Sequence, residues 1–154
     1  MKNHHAVYVS TLLVLWISLS IFPLLESLSA AECQLIRIFG EKGAAGNQIQ
    51  IEPIQAAIPI DTCVVWINWV QWAQARIVFR EDAKACRSAS QSPSGFTEED
   101  AVYTTSFMPR GGTSSLTFVG KGKFRYTVEV PDLSRGSLGL PPGQIVAAGI
   151  LVVE

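Results

Sequence analysis

Histidine is the most informative absence in this chain of 154 residues. Only His4 and His5 occur, so no imidazole follows position 5. Imidazole is the usual base that activates a serine or cysteine nucleophile, and it is the commonest metal ligand in proteins. The lack of histidine in residues 6–154 therefore excludes a serine–histidine hydrolase and any metal centre that depends on histidine.

Charge and soft-metal ligands are also scarce. Charged residues make up 16% of the chain, and 12 Lys+Arg almost balance 13 Asp+Glu. A nearly neutral chain lacks the basic surface that nucleic-acid binding requires. Met108 is the single methionine after Met1, and none of the three cysteines are spaced as C-x-x-C. These absences favour a protein that is not an enzyme.

An uncharged apolar run is present near the start of the chain. Residues 6–25 contain no Asp, Glu, Lys or Arg, and the small residues Ser29 and Ala31 follow. This layout predicts a signal peptide over residues 1–31 with cleavage after Ala31. Twenty uncharged residues are also just enough to span a bilayer, so an uncleaved anchor is the alternative. Cleavage leaves a chain of 32–154 that is periplasmic or secreted.

Alternation of apolar and polar residues, rather than helical spacing, recurs after position 32. Residues 123–130 alternate at every position, which predicts a half-buried strand. Residues 63–69 are β-branched and aromatic, which predicts a central strand covered on both faces. Further strands are predicted at 34–39, 48–52, 75–79, 102–107, 114–118 and 145–153. A polar connection is predicted over 81–100. About eight strands between glycine and proline turns indicate an all-β fold, a single antiparallel Greek-key β-sandwich.

Several segments match a known family pattern when they are taken in order. Residues 58–68 resemble a turn followed by Thr-Val-x-Trp-x-Asn, and 122–128 resemble the strand Gly-x-Tyr-x-Tyr-x-Cys. Residues 75–82, 107–118 and 143–153 resemble three further segments of the same family pattern. In this order the segments resemble the cupredoxins, small copper-binding sandwiches of the plastocyanin type. The resemblance implies a cupredoxin-like Greek-key fold for nearly all of residues 32–154.

The copper ligands of that family have no counterpart in this chain. The resemblance places the first copper histidine at Ala75, the thiolate cysteine at Val128 and the second histidine at Pro131. The loop around Gly136 holds no methionine for the axial position. Type 1 copper needs two imidazoles and a thiolate. The resemblance therefore implies a cupredoxin-like domain with no copper or other cofactor.

The three cysteines are Cys33, Cys63 and Cys86. In an exported chain two of them are expected to form a disulfide, and spacing alone does not select the pair. We prefer Cys63 with Cys86, because Cys63 starts a predicted core strand and Cys86 ends a hairpin-like stretch. Cys33 is then free.

Tryptophans mark one end of the predicted sandwich. Trp66 falls within a strand and is expected in the core, whereas Trp69 and Trp72 lie at and beyond its end. An indole in an end loop suits either packing or a binding surface. Arg110 lies on a glycine-rich turn that we place at the same end. We predict that Trp69, Trp72 and Arg110 form a surface for an unknown protein partner.

The sequence thus predicts an exported, metal-free, cupredoxin-like binding or accessory module of the cell envelope. One alternative is an electron-transfer protein with an atypical copper site. Another is a membrane-anchored subunit of an envelope complex, with residues 6–25 as its span. Nucleic acid is not an expected partner, and a membrane is one only if residues 6–25 are retained.

Overall fold

A computed structural model describes residues 32–43, 46–132 and 143–154 of the chain. The predicted signal peptide and the loop around Gly136 lie outside these residues. In the described ranges the strands and the helix have the following bounds: β1 (Gln34–Gly43), β2 (Gly46–Glu52), β3 (Gln55–Ile58), β4 (Thr62–Asn68), β5 (Arg76–Phe79), α1 (Ala83–Ala89), β6 (Ser90–Ser94), β7 (Phe96–Glu99), β8 (Val102–Thr105), β9 (Thr113–Phe118), β10 (Gly122–Asp132) and β11 (Gly143–Val153). None of the helical residues described here form a segment long and apolar enough to cross a membrane.

The strands form two sheets that enclose one core. The first sheet has the order β2-β1-β4-β9-β6, and the second has the order β3-β11-β10-β5-β8-β7. The chain passes repeatedly between the sheets, so the predicted all-β Greek-key sandwich is confirmed. The prediction of a purely antiparallel arrangement is wrong, because β1 pairs with β4 and β3 with β11 in parallel. Each parallel pair joins strands whose connection passes through the other sheet.

Alternation of side chains explains how the sheets meet. The even positions of β10 that the sequence marked as apolar, from Phe124 to Val130, are all buried. On β4 the face toward the core carries Val64, Trp66 and Asn68, which are all buried. The core position predicted for Trp66 is therefore confirmed. The opposite face of β4 is only half-buried. The prediction that this strand is covered on both faces is therefore wrong, although the strand is central.

The polar connection predicted over residues 81–100 contains regular structure. Helix α1 has only two turns and buries Ala83 and Cys86, which is too short for a helical period to appear in the sequence. Strand β6 follows directly and is polar except for Pro93, with a register shift between Gln91 and Ser94. Its pairing with β9 is set by the neighbouring strand and not by its own apolar pattern.

The disulfide joins Cys33 to Cys63, and Cys86 is free and buried. The predicted pairing of Cys63 with Cys86 is therefore wrong. Strands β1 and β4 run parallel with Gln34 beside Val64, so the preceding residues of each strand lie side by side with their Cα atoms 4.5 Å apart. Cys86 instead points from α1 into the core. Sequence spacing does not predict the Cys33–Cys63 pair, because this pair follows from the parallel register of β1 and β4.

Candidate functional site

Asn68 organises the end of the sandwich where β4 stops. Its side chain is fully buried, and its amide nitrogen donates to the carbonyl oxygens of Met108 at 2.9 Å and Ala73 at 3.2 Å. Its amide oxygen accepts the backbone N–H of Val70 at 2.9 Å. Both donors and the acceptor of the amide are therefore used, and each bond holds a different part of the loops.

The backbone of Asn68 holds a further turn. Its N–H donates to the carbonyl of Gly112 at 3.0 Å, and its carbonyl accepts the N–H of Gly111 at 2.7 Å. The turn is closed by the N–H of Gly112 to the carbonyl of Pro109 at 2.8 Å, with Gly111 at a φ of 77° that favours glycine. Arg110 is consequently exposed at the tip of this turn. We call residues 68–75 and 107–112 the loop end.

The two predicted indoles occupy different environments in the loop end. Trp69 is 41% exposed, while its backbone N–H donates to the carbonyl of Ile38 at 2.7 Å. Trp72 is half-buried and packs against the core, with its Nε1 so near Gly40 that a Cβ there would lie 3.1 Å away. That Nε1 is buried without a hydrogen-bond partner among the described residues. Of the two, Trp69 is the one available at the surface.

Phe107 is an exposed aromatic side chain that the sequence analysis missed. It was assigned to a strand over 102–107, but β8 ends at Thr105 and Phe107 is 37% exposed. The guanidinium of Arg76 lies over its ring, 5.0 Å from the centroid. Pro109 was the signal in the sequence that the strand ends early, since a proline two residues after Phe107 cannot continue a paired strand.

The positions that the resemblance assigned to copper ligands are apolar in the structure as well as in the sequence. Ala75 is fully buried, and its backbone exchanges hydrogen bonds of 3.0 and 2.7 Å with Met108. Val128 is fully buried opposite Ile77 in the second sheet, and Pro131 is half-buried on β10. These side chains supply neither imidazole nor thiolate, so they do not fit type 1 copper. The described residues also contain no group of three or more His, Cys, Asp or Glu that could hold a metal ion.

An ion cluster around a buried carboxylate lies beside the loop end on the second sheet. Glu129 is 3% exposed, and its carboxylate accepts from Arg76 at 2.7 to 2.8 Å and from Arg80 at 2.5 Å. Burial raises the pKa of Glu129, but the hydrogen bonds and charges of Arg80 and Arg76 act against it, and the pKa lies below its ordinary value of 4.5. Two guanidiniums on one carboxylate leave a net positive charge.

Comparisons with known proteins give likenesses of fold only. No protein-family model and no curated protein matches the chain. Among solved structures, it is similar to amicyanin from Paracoccus versutus at 11% identity and a TM-score of 0.47, covering 80% of this chain and 83% of that chain. It is also similar to an oxidized methionine-to-leucine mutant of amicyanin at 18% identity and a TM-score of 0.44, covering 84% and 87%. No ligand or partner is carried over from these structures. Amicyanin is a cupredoxin.

Proposed function

We propose that residues 32–154 form an exported, copper-free binding or accessory module of the cell envelope. In this proposal the loop end is the surface that contacts a protein partner. The observation that carries it is the hydrogen bonding of Asn68, whose side chain and backbone fix the two segments of the loop end. A fixed surface loses little conformational entropy when it binds.

The exposed side chains of the loop end support a binding role. Trp69 and Phe107 are 41% and 37% exposed, and Arg110, three residues after Phe107, is exposed as well. Tryptophan and arginine are enriched among residues that dominate binding energy, because they bury a large area and keep a polar group. In this proposal Trp72 supports the surface from below, since it packs against the core.

The chemistry of the predicted ligand positions supports a copper-free state. Ala75 and Val128 are both fully buried and apolar, and no histidine follows His5 in the sequence. We expect the purified chain 32–154 to contain less than stoichiometric copper and to show no intense thiolate-to-copper absorption after addition of Cu(II). A stoichiometric blue species would refute this part of the proposal and establish the electron-transfer alternative.

The binding role is tested with two matched double variants. Trp69→Ser with Phe107→Ser alters the loop end, and Ile60→Ser with Val119→Ser alters the opposite end, where the two side chains are 42% and 38% exposed. Affinity capture from the native envelope fraction, followed by binding measurements with the captured protein, compares both with the wild type. We expect the first double variant to lose binding while its melting temperature falls no more than that of the second. If both double variants bind the captured protein as well as the wild type does, the loop end is excluded as the contact surface.

Export is tested separately. Intact mass and N-terminal sequencing of the native protein should show a chain that begins at Glu32. Recovery of residues 1–31 with the membrane fraction would instead support the anchored subunit.

A further inference from the structure

A groove lies on the outer face of the second sheet, away from the loop end. Its volume is 240 Å³. Val78, Thr127 and Ala148 form a row across β5, β10 and β11, because Thr127 is paired with Val78 on one side and with Ala148 on the other. Because the side chain of Ala148 is short, the outer face of the sheet is indented at this row.

Charged residues contribute to the lining of the groove. Arg80, Glu81 and Arg125 all line it. Arg80 shares the carboxylate of Glu129 with Arg76 and keeps its side chain 55% exposed. Two cations therefore share one anion, and Arg80 retains donors that Glu129 does not use.

Arg125 supplies the second cation. Its backbone N–H donates to the carboxylate of Asp82 at 2.7 Å, whereas no salt bridge of its guanidinium occurs within the described part of the chain. The residue is exposed, so the guanidinium can reach a ligand without breaking an existing ion pair. The opposing charges near Arg125 are Glu81, which lines the groove, and Asp82.

We propose that this groove binds a small organic anion that has one anionic head group and a compact apolar body. The head group lies between Arg80 and Arg125, where charge-assisted hydrogen bonds are available. The apolar body lies on Ala148 and on the methyl group of Thr127, with the buried Val78 beneath them. Because 240 Å³ is below the roughly 300–1,000 Å³ of sites for drug-sized ligands, the body is a single ring or a short branched chain.

Benzenesulfonate is the probe, because it is a monoanion at every relevant pH and carries one ring. Titration into labelled chain 32–154, followed by amide NMR signals, should give saturable shifts at Thr127 and Ala148. Methanesulfonate tests the head group alone, and benzyl alcohol tests the ring alone. We expect both to bind at least about tenfold more weakly, since each loses one part of the contact.

Four variants decide the proposal. Arg125→Gln should weaken benzenesulfonate binding about tenfold, and Glu81→Gln should strengthen it, because the two changes act on the local charge in opposite directions. Ala148→Leu fills the groove from an exposed position and should abolish binding while the amide spectrum stays dispersed. Arg37→Gln, on an exposed position of β1 in the other sheet, is the control and should change nothing.

The absence of saturable shifts at Thr127 and Ala148 would overturn the proposal. So would binding that persists unchanged in both Arg125→Gln and Ala148→Leu, or that weakens in Glu81→Gln. If Arg125→Gln fails to fold, Ala148→Leu and Glu81→Gln still give the decisive comparison.

Discussion

At the scale of single residues, Glu129 departs most from its sequence pattern. It occupies an outward position of β10, where alternation predicts a solvent-exposed side chain, yet it is 3% exposed. Arg76 and Arg80 cover it, and Phe107 supports Arg76 by a cation–π contact. Burial of a carboxylate in this way is tolerated because hydrogen bonds from both guanidiniums replace its lost hydration.

Glu129→Gln should destabilise the domain by about 2 kcal/mol at pH 7, since it leaves two partly covered guanidiniums without their anion. The pKa of Glu129 is lowered in the folded state, so its stabilising effect is full above its ordinary pKa of 4.5 and is lost as the pH falls through the folded value. The difference in free energy of unfolding between wild type and variant should therefore shrink in acid. Urea denaturation across this pH range measures it.

The control for this prediction is Arg80→Gln. Its side chain is 55% exposed and Glu129 would keep Arg76, so a loss below about 1 kcal/mol is expected. A pH-independent difference between wild type and Glu129→Gln would contradict the assigned role of the charge.

Cys86 should be chemically inert in the native protein. Burial, assisted by the nearby charge of Asp82 and opposed by a hydrogen bond with Ser90, raises the pKa of its thiol to about 12. The thiolate is the reactive form, so almost none is present at neutral pH. A thiol reagent should modify no cysteine in the folded chain and one in unreduced, denatured protein. Rapid labelling of the native protein, or a Cys63–Cys86 peptide in a non-reducing digest, would contradict this.

At the scale of elements, the pairing of β10 with β11 depends on one glycine. Gly149 is buried directly opposite Tyr126, and the Tyr126 ring lies against it where any Cβ would stand. The hydroxyl of Tyr126 is buried beside Trp66, and burial raises the pKa of this phenol to about 12. Tyr126 is thus held between Gly149 and the aromatic core.

Gly149→Ala should destabilise the domain by about 2 kcal/mol, because its methyl group would displace the Tyr126 ring from a packed core. The cost should fall in a Tyr126→Leu background, where the shorter side chain leaves room, and a double-mutant cycle by thermal denaturation measures this coupling. Ala148→Ser, on the exposed side of the same strand, is the control. Equal costs in both backgrounds would show that the glycine acts through its backbone alone.

Elements with a clear apolar pattern were predictable from the sequence, and elements defined by their neighbours were not. The alternation in β10 and the β-branched run of β4 each gave a correct strand. Strand β6 is polar and exists through pairing with β9, and α1 is too short to show a helical period. Sequence alone carries little information about such elements, because their stability comes from tertiary contacts.

At the scale of the whole molecule, the disulfide closes the segment that includes β1, β2 and β3. Cys33 and Cys63 are separated by 30 residues in the sequence. Replacing both by serine should lower the free energy of unfolding by about 3.5 kcal/mol, according to the loop-entropy estimate. Reducing the wild type should produce the same loss in urea denaturation. The free energy of unfolding of Cys86→Ala should respond to added reductant as that of the wild type does. A different response would contradict the pairing.

The candidate site was predictable only in part because it depends on contacts between distant segments. Trp69 and Arg110 were expected at one end from strand parity and turn composition, and both are exposed there. Asn68 was visible as a strand residue and as the last residue of the Thr-Val-x-Trp-x-Asn motif, but not as an amide that joins segments up to 40 residues apart. A single sequence does not show which polar side chain will be buried at such a junction.

Strand β4 is fastened at both of its ends, so it should resist sliding along its length. Cys63 is linked covalently to the start of β1, and Asn68 is bonded to the loops that hold Trp69 and Arg110. A partner that pulls on Trp69 would load β4 along its length, between β1 and β9. The hydrogen bonds of both ladders would then bear the force together in shear, and the disulfide would anchor the far end of the strand.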